Sequence, residues 1–255
     1  MNKRKFYIAL ILAALTALPA AANIVTFRLN YCAPTMKSDF WDIEFANMNY
    51  KKSNFQDTSF GFDYEVFLGR ELSVVFSLDS FSKSRAGNYV DYVGITLDQG
   101  DFAFPPNFQG DFAPGHTLRY TVTPIQVSLK FAPLGRRNNF IPYIGGGVGA
   151  YVYSLRMTGD LVDHSQPYSY EAAGADPVAV YPIVSVDTWE GQGGLGSIAF
   201  GYHVFGGFMY PIGNRLTLSA EFKYSVAKAN MESFTGFKPL DIGAMQFSLG
   251  INYWF

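Results

Sequence analysis

Eight charged side chains stand at alternate positions of stretches that are otherwise rich in large apolar residues: Arg28, Asp63, Glu65, Asp79, Lys130, Arg215, Glu221 and Lys223. Their neighbours of the opposite parity are apolar, as with Phe27 and Leu29 around Arg28, or Phe222 and Tyr224 around Lys223. Strict alternation marks strands, because successive side chains of a strand point to opposite faces. The eight charges therefore share the protected face of a sheet, and both signs are well represented. Unpaired charges in a narrow interior are costly, so they are expected to join into a ladder of salt bridges. Two roles stay open for such a ladder, a polar plug that fills the interior and a gate or narrow ion path.

Other chemistry is weaker. The histidines are His116 at a loop edge, His164 in an acidic segment and His203 on the inner row. His164-Ser165 has acids nearby, but no spacing enforces a catalytic arrangement, and a loop histidine is usually solvated. Gly145-Gly-Gly-Val-Gly149 is not followed by Lys-Ser/Thr and runs on into Tyr151-Val-Tyr153, so it is no phosphate loop. The segment 156–196 carries Asp160, Asp163, Glu171, Asp176, Asp187 and Glu190, without the regular spacing of a calcium loop. Cys32, the sole cysteine, has no disulfide partner and reads as a small filler on the inner row. No cofactor or metal is expected.

The elements that position the eight charges follow from the same alternation. Strands are expected over 24–33, 58–68, from 72 onward, 116–131, 140–155, 197–210, from 215 onward and 246–255. The last is the cleanest frame: Phe247, Leu249, Ile251, Tyr253 and Phe255 form one row, with Gln246, Ser248, Gly250 and Asn252 between them. Trp254 is the exception. In the stretch 116–131 the apolar positions change parity at Thr123-Pro124, which predicts a β-bulge there. Short turns at 69–71, 133–139 and 211–214 alternate with long loops at 34–57, 82–115, 156–196 and 228–241. The second loop repeats itself, Gln99-Gly-Asp-Phe-Ala103 recurring as Gln109-Gly-Asp-Phe-Ala113, and reads as a local duplication drifting in an unconstrained segment.

The chain opens with Asn2-Lys-Arg-Lys5, an apolar run and Pro19-Ala-Ala-Ala22, the pattern of a secretory signal peptide cleaved after Ala22. Its loss removes three positive charges and takes the net charge from −2 to −5. A nucleic-acid partner would want a basic stripe and is not expected. Hydrophobic content of 49% without a helix-length apolar run suits a barrel, whose apolar residues are spread over every second position. The expected fold is all-β: one eight-stranded antiparallel up-and-down transmembrane β-barrel over 23–255, with the apolar row facing lipid.

The leader, the strand and loop rhythm, the Pro142-Tyr-Ile-Gly-Gly-Gly147 strand and the terminal Phe255 together resemble the OmpA/OmpX/OmpW-like superfamily of small porin-like outer-membrane barrels. The resemblance implies residence in the outer membrane of a Gram-negative-type bacterium, with short turns in the periplasm and long loops outside. It implies outer-membrane lipid, lipopolysaccharide and the barrel-assembly machinery as partners, the terminal row Phe247, Leu249, Ile251, Tyr253 and Phe255 serving as assembly signal. Lys51-Lys52, Lys83 and Arg85 would then lie near the outer rim, within reach of lipopolysaccharide phosphates. The expected function is non-enzymatic, an envelope protein with a side-chain-filled lumen and long loops for surface contacts. The alternative is a narrow channel for passive diffusion of small solutes, hydrophobic ones among them.

Overall fold

The structure is a computed structural model that describes residues 23–171, 176–190, 198–229 and 238–255, without the side chains of 187–190. The leader expected over 1–22 lies outside the described residues. Among the described residues thirteen strands form in chain order: β1 (Asn23–Pro34), β2 (Asp57–Phe67), β3 (Leu72–Asn88), β4 (Val93–Leu97), β5 (Gly100–Phe104), β6 (Gly115–Phe131), β7 (Ile141–Val162), β8 (Tyr168–Tyr170), β9 (Val178–Glu190), β10 (Ile198–Pro211), β11 (Leu216–Ala229), β12 (Leu240–Asp241) and β13 (Ala244–Trp254). One helix, α1 (Asp39–Asn47), and a 3-10 turn at Lys52–Phe55 lie between β1 and β2.

Eight of these strands close on themselves in the order β1-β2-β3-β6-β7-β10-β11-β13, every contact antiparallel. The ring shuts where β13 pairs with β1, from Ile24 opposite Trp254 to Pro34 opposite Ala244. This is the expected transmembrane barrel. Its outer wall is apolar, with Phe200 80% exposed and Phe27, Ile144 and Val148 above 60%. Lipid offers no hydrogen bonds, so every wall strand has to find its partners within the ring.

The long loops are more built than their composition suggests. The segment 34–57 contains α1, where Asp39 and Asp42 in the first turn favour the positive end of the helix dipole. The strands β3 and β7 outlast the expected ends, and β7 runs for 22 residues. Beyond the ring, β7 pairs with β9, β9 with β5, and β5 with β4, forming a second sheet on the loop side. The register shifts between Met157 and Gly159, and Gly159 has φ +125°, a left-handed conformation suited to glycine.

Two expectations are corrected. The change of parity on β6 is no bulge. The pairings Phe81–Val122 and Leu78–Ile125 keep one register with β3, and Thr123–Val152 through Ile125–Ala150 keep one with β7. Leu118, Tyr120 and Val122 simply face inward, buried among other apolar side chains. Pro124, which has no N–H, coincides with a lapse of the β3–β6 ladder opposite Asp79 and Ser80. The tandem repeat is likewise not adrift. Its first copy forms β5 on one edge of β4, and its second returns along the other edge, with Gly94 bridged to Phe112. Thr96 of β4 donates from Oγ1 to Asp101 Oδ1 at 2.8 Å and from its backbone N–H to Asp111 Oδ2 at 3.0 Å. The two repeat aspartates thus hold one residue from opposite sides.

The wall is tightest at Gly147, where a Cβ would stand 2.0 Å from the carbonyl oxygen of Val127 on β6. Gly147→Ala must push two wall strands apart, so urea unfolding of the detergent-refolded barrel should show a loss of about 2 kcal/mol. An unchanged midpoint would show that the wall yields at no cost there.

Candidate functional site

The interior is stacked in three layers along the barrel axis. At the turn end, Ile24, Ala132, Ile141, Phe205 and Met209 form a small apolar floor, with Phe67 and Trp254 against it. Trp254 breaks the polar row of β13 for this reason. Its ring lies 5.6 Å from that of Phe67, and its Nε1 donates to Thr217 Oγ1 at 3.1 Å.

The middle layer is charged. Arg28 on β1 reaches three carboxylates from three strands: Asp63 on β2 at 2.8 Å, Asp79 on β3 at 2.9 Å and Glu221 on β11 at 3.2 Å. Lys223 closes the cluster at 3.4 Å from Asp79 Oδ2 and donates to Gln126 Oε1 at 3.1 Å. Asn30 donates to Asp79, and the Tyr143 hydroxyl to Glu221. Nearer the turns, Lys130 Nζ lies 2.8 Å from Glu65 Oε2 and 4.0 Å above the centre of the Tyr143 ring. Arg136 folds in from the turn after β6, meets Glu65 at 3.5 Å and covers the Phe67 ring. All these charged side chains except Arg136 come from inward positions of the wall strands, fixed by the period of two.

Seven of the eight charges expected inside are there: Arg28, Asp63, Glu65, Asp79, Lys130, Glu221 and Lys223 are each no more than 9% exposed. Arg215 is the correction. It precedes β11, is exposed, and its Nη1 donates to the Tyr253 hydroxyl at 3.4 Å, because the strand begins one residue after it. Arg136, which no alternation marked, takes its place in the interior and keeps the count of each sign equal at four. A cavity of about 20 Å³ remains beside Arg28, Glu65 and Lys130, room for about one water molecule.

The loop-side layer is aromatic, and α1 corks it. Trp41 is fully buried, packed edge-on against Tyr120 at 5.5 Å and near Phe40, Phe45 and Phe55. Its Nε1 donates to the backbone carbonyl of Asp241 at 3.1 Å, and the Asp241 carboxylate accepts from the backbone N–H groups of Lys37 and Gly243. The inward stretch Leu118, Tyr120 and Val122 on β6 lines this layer, as do Tyr151, Tyr153 and Leu155 on β7. Cys32 is buried in it too.

At the edge of the cork lies a buried polar cluster that the sequence did not disclose. His116 Nε2 meets Glu44 Oε1 of α1 at 2.7 Å, and the Tyr50 hydroxyl donates to the same oxygen. Burial and the adjacent Glu44 carboxylate hold the Tyr50 hydroxyl in its protonated form, its pKa pushed well up. His203 sits apart in the interior with Ser128 Oγ at 2.7 Å. His164 lies outside against the rings of Tyr92 and Tyr181, while the Ser165 hydroxyl donates to Asp163 rather than to His164. The three histidines are thus scattered over separate surroundings. Lys83 pairs with Asp57, and Arg85 Nε donates to the Asn54 carbonyl, so both are engaged at the rim.

No family model matches the chain, and no curated protein matches it. Solved structures do align over almost its whole length. Ail, the attachment invasion locus protein of Yersinia pestis, in complex with the heparin analogue sucrose octasulfate, is 9% identical over 92% of this chain and 98% of its own, with a TM-score of 0.43. Neisserial surface protein A is 11% identical over 92% and 99%, with a TM-score of 0.44. The outer membrane protease OmpT of Escherichia coli is 10% identical over 93% and 97%, with a TM-score of 0.38. At such identities and overlaps no activity carries across from any of them, and the fold stands on the closed ring of strands itself.

Removing the central guanidinium leaves Asp63 without its cation and takes one partner each from Asp79 and Glu221. Arg28→Met should therefore cost about 3–5 kcal/mol in urea unfolding, far beyond what a lost surface pair would give. At the cork, Glu44→Leu should leave the barrel folded and heat-resistant in gel mobility, yet speed proteolytic cleavage within 36–56 severalfold as α1 loses its hold on His116. Equal cleavage rates would show that Trp41 and Asp241 alone retain the helix.

Proposed function

We propose that this chain is a non-enzymatic integral protein of a bacterial outer membrane, its barrel sealed by side chains and its loop-side sheet serving envelope structure and surface contacts. Residues 1–22 would direct its export, and the apolar row Phe247, Leu249, Ile251, Tyr253 and Phe255 would be read by the barrel-assembly machinery. Lipopolysaccharide and outer-membrane lipid would surround the wall. The observation that carries the sealed-barrel reading is the three-layer filling, in which the Arg28 cluster and the α1 cork lie in series along one axis. Eight strands enclose a space that side chains just fill, and here they do.

The non-enzymatic part rests on the same filling. Glu44, His116 and Tyr50 form an acid–base cluster, but Glu44 and His116 are no more than 8% exposed, and the ring of Tyr89 lies 5.6 Å from that of His116. A substrate would have to displace the cork to reach them.

Planar-bilayer recording tests the reading. The refolded wild-type barrel is expected to give no steady conductance in 1 M KCl, on the order of the noise, and Glu221→Ala or Lys223→Ala should raise conductance only if the middle layer alone seals the barrel. Steady conductance of the wild type, with selectivity that shifts in these variants, would overturn the sealed barrel and favour the narrow channel.

A further inference from the structure

We propose that the outer wall carries a phosphate site for the headgroup of a membrane lipid, built around Arg119 with Arg156 beside it. The inference rests on the reading that this wall stands in a lipid bilayer with the loops outward. On β7 the outward positions Val148 and Val152 belong to the apolar belt, and Val152 is level with Ile198 of β10. Arg156 lies two outward positions further, about 13 Å along the strand at roughly 3.3 Å per residue. That is where an apolar belt gives way to headgroups.

The outward chemistry changes there on three neighbouring strands. Register sets Ser84 of β3 opposite Arg119 of β6, and Arg119 opposite Arg156 of β7. Thr117 and Thr158 face each other one outward step above. These five side chains line a cleft of about 240 Å³ on the outer surface, large enough for a phosphate group and part of its sugar. Like charges directly opposite one another weaken a sheet, and Arg119 stands opposite Arg156, so an anion at Arg119 would relieve the pairing. On the far side β9 brings Glu190 into register with Arg156. Arg119 has no ion pair among the described residues, so it is the arm left to bind.

Phosphate suits this set. A guanidinium presents paired N–H donors that match two phosphate oxygens, and flanking hydroxyls of Ser84, Thr117 and Thr158 can donate to the rest. All five lining residues stand on outward positions of wall strands, which favours a phosphate anchored in the membrane over one arriving from solution.

The test places the full chain in phosphatidylcholine nanodiscs doped with bisphosphorylated lipid A or with its dephosphorylated form, and counts retained lipid by native mass spectrometry. Wild type should retain the bisphosphorylated form at least tenfold more than the dephosphorylated one. Arg119→Gln should erase that preference, and Arg119→Lys should restore part of it. Equal retention of both lipids by the wild type, or a preference untouched in Arg119→Gln, would overturn the site. Binding of inorganic phosphate from solution, as strong as that of the lipid and lost in Arg119→Gln, would overturn the lipid source. A chain that never enters the disc would instead sink the membrane reading beneath it, which heat-modifiable gel mobility of each variant distinguishes.

Discussion

Closure governs this molecule. A strand that faces lipid has no water to satisfy its N–H and C=O groups, so the first wall strand must meet the last, and β13 does meet β1 along eleven consecutive residue pairs. With eight strands the ring is narrow, and the inner positions of the period-two pattern have nowhere to point but at one another. What those positions carry then decides the rest. Large residues fill the ends, as Tyr120, Tyr151 and Met209 do, and polar ones must find partners in a space with almost no water.

The charged layer is the consequence. An isolated ion in such an interior would cost several kcal/mol, and a lone pair roughly breaks even. Arg28 avoids that cost by offering its donors to carboxylates from three different strands at once, while Lys223 takes the far oxygen of Asp79. A network that ties β1, β2, β3 and β11 together also fixes their stagger, because a slip of one residue would turn each charge out toward lipid. Arg136 completes the balance from below, and does so from a turn, where the direction of a side chain is set by the loop path rather than by strand parity.

That difference explains what could be read in advance. Parity is local, so the inward placing of Asp63, Glu65 and Glu221 follows from their neighbours alone, as does the outward row of β13. Arg215 and Arg136 both sit at turns, where parity ends, and these are the charges whose placement the pattern misjudged. The change of parity on β6 was visible but had two explanations, an extra residue or an apolar interior. The choice between them depended on a partner some eighty residues away: Leu118, Tyr120 and Val122 face inward because Trp41 and Phe55 descend from another loop to meet them. The helix itself is nine residues with aromatic side chains on several sides, too short and too unpatterned to announce itself.

The same logic separates the two ends of the barrel. At the turn end the chain is economical, with connections just long enough to reverse direction and a small apolar floor. At the loop end β3, β6 and β7 continue past the ring, a second sheet grows from the edge of β7, and a tandem repeat is used twice to brace one strand. If α1 and the Arg28 cluster each block the axis, as proposed, folded structure of that extent is not needed to seal the barrel. On the proposed reading, the outer sheet would serve contact with something outside the wall. The outward face changes in the same direction: where the belt ends it becomes hydroxyls and arginines, a set that on the proposed reading would meet phosphate rather than acyl chains.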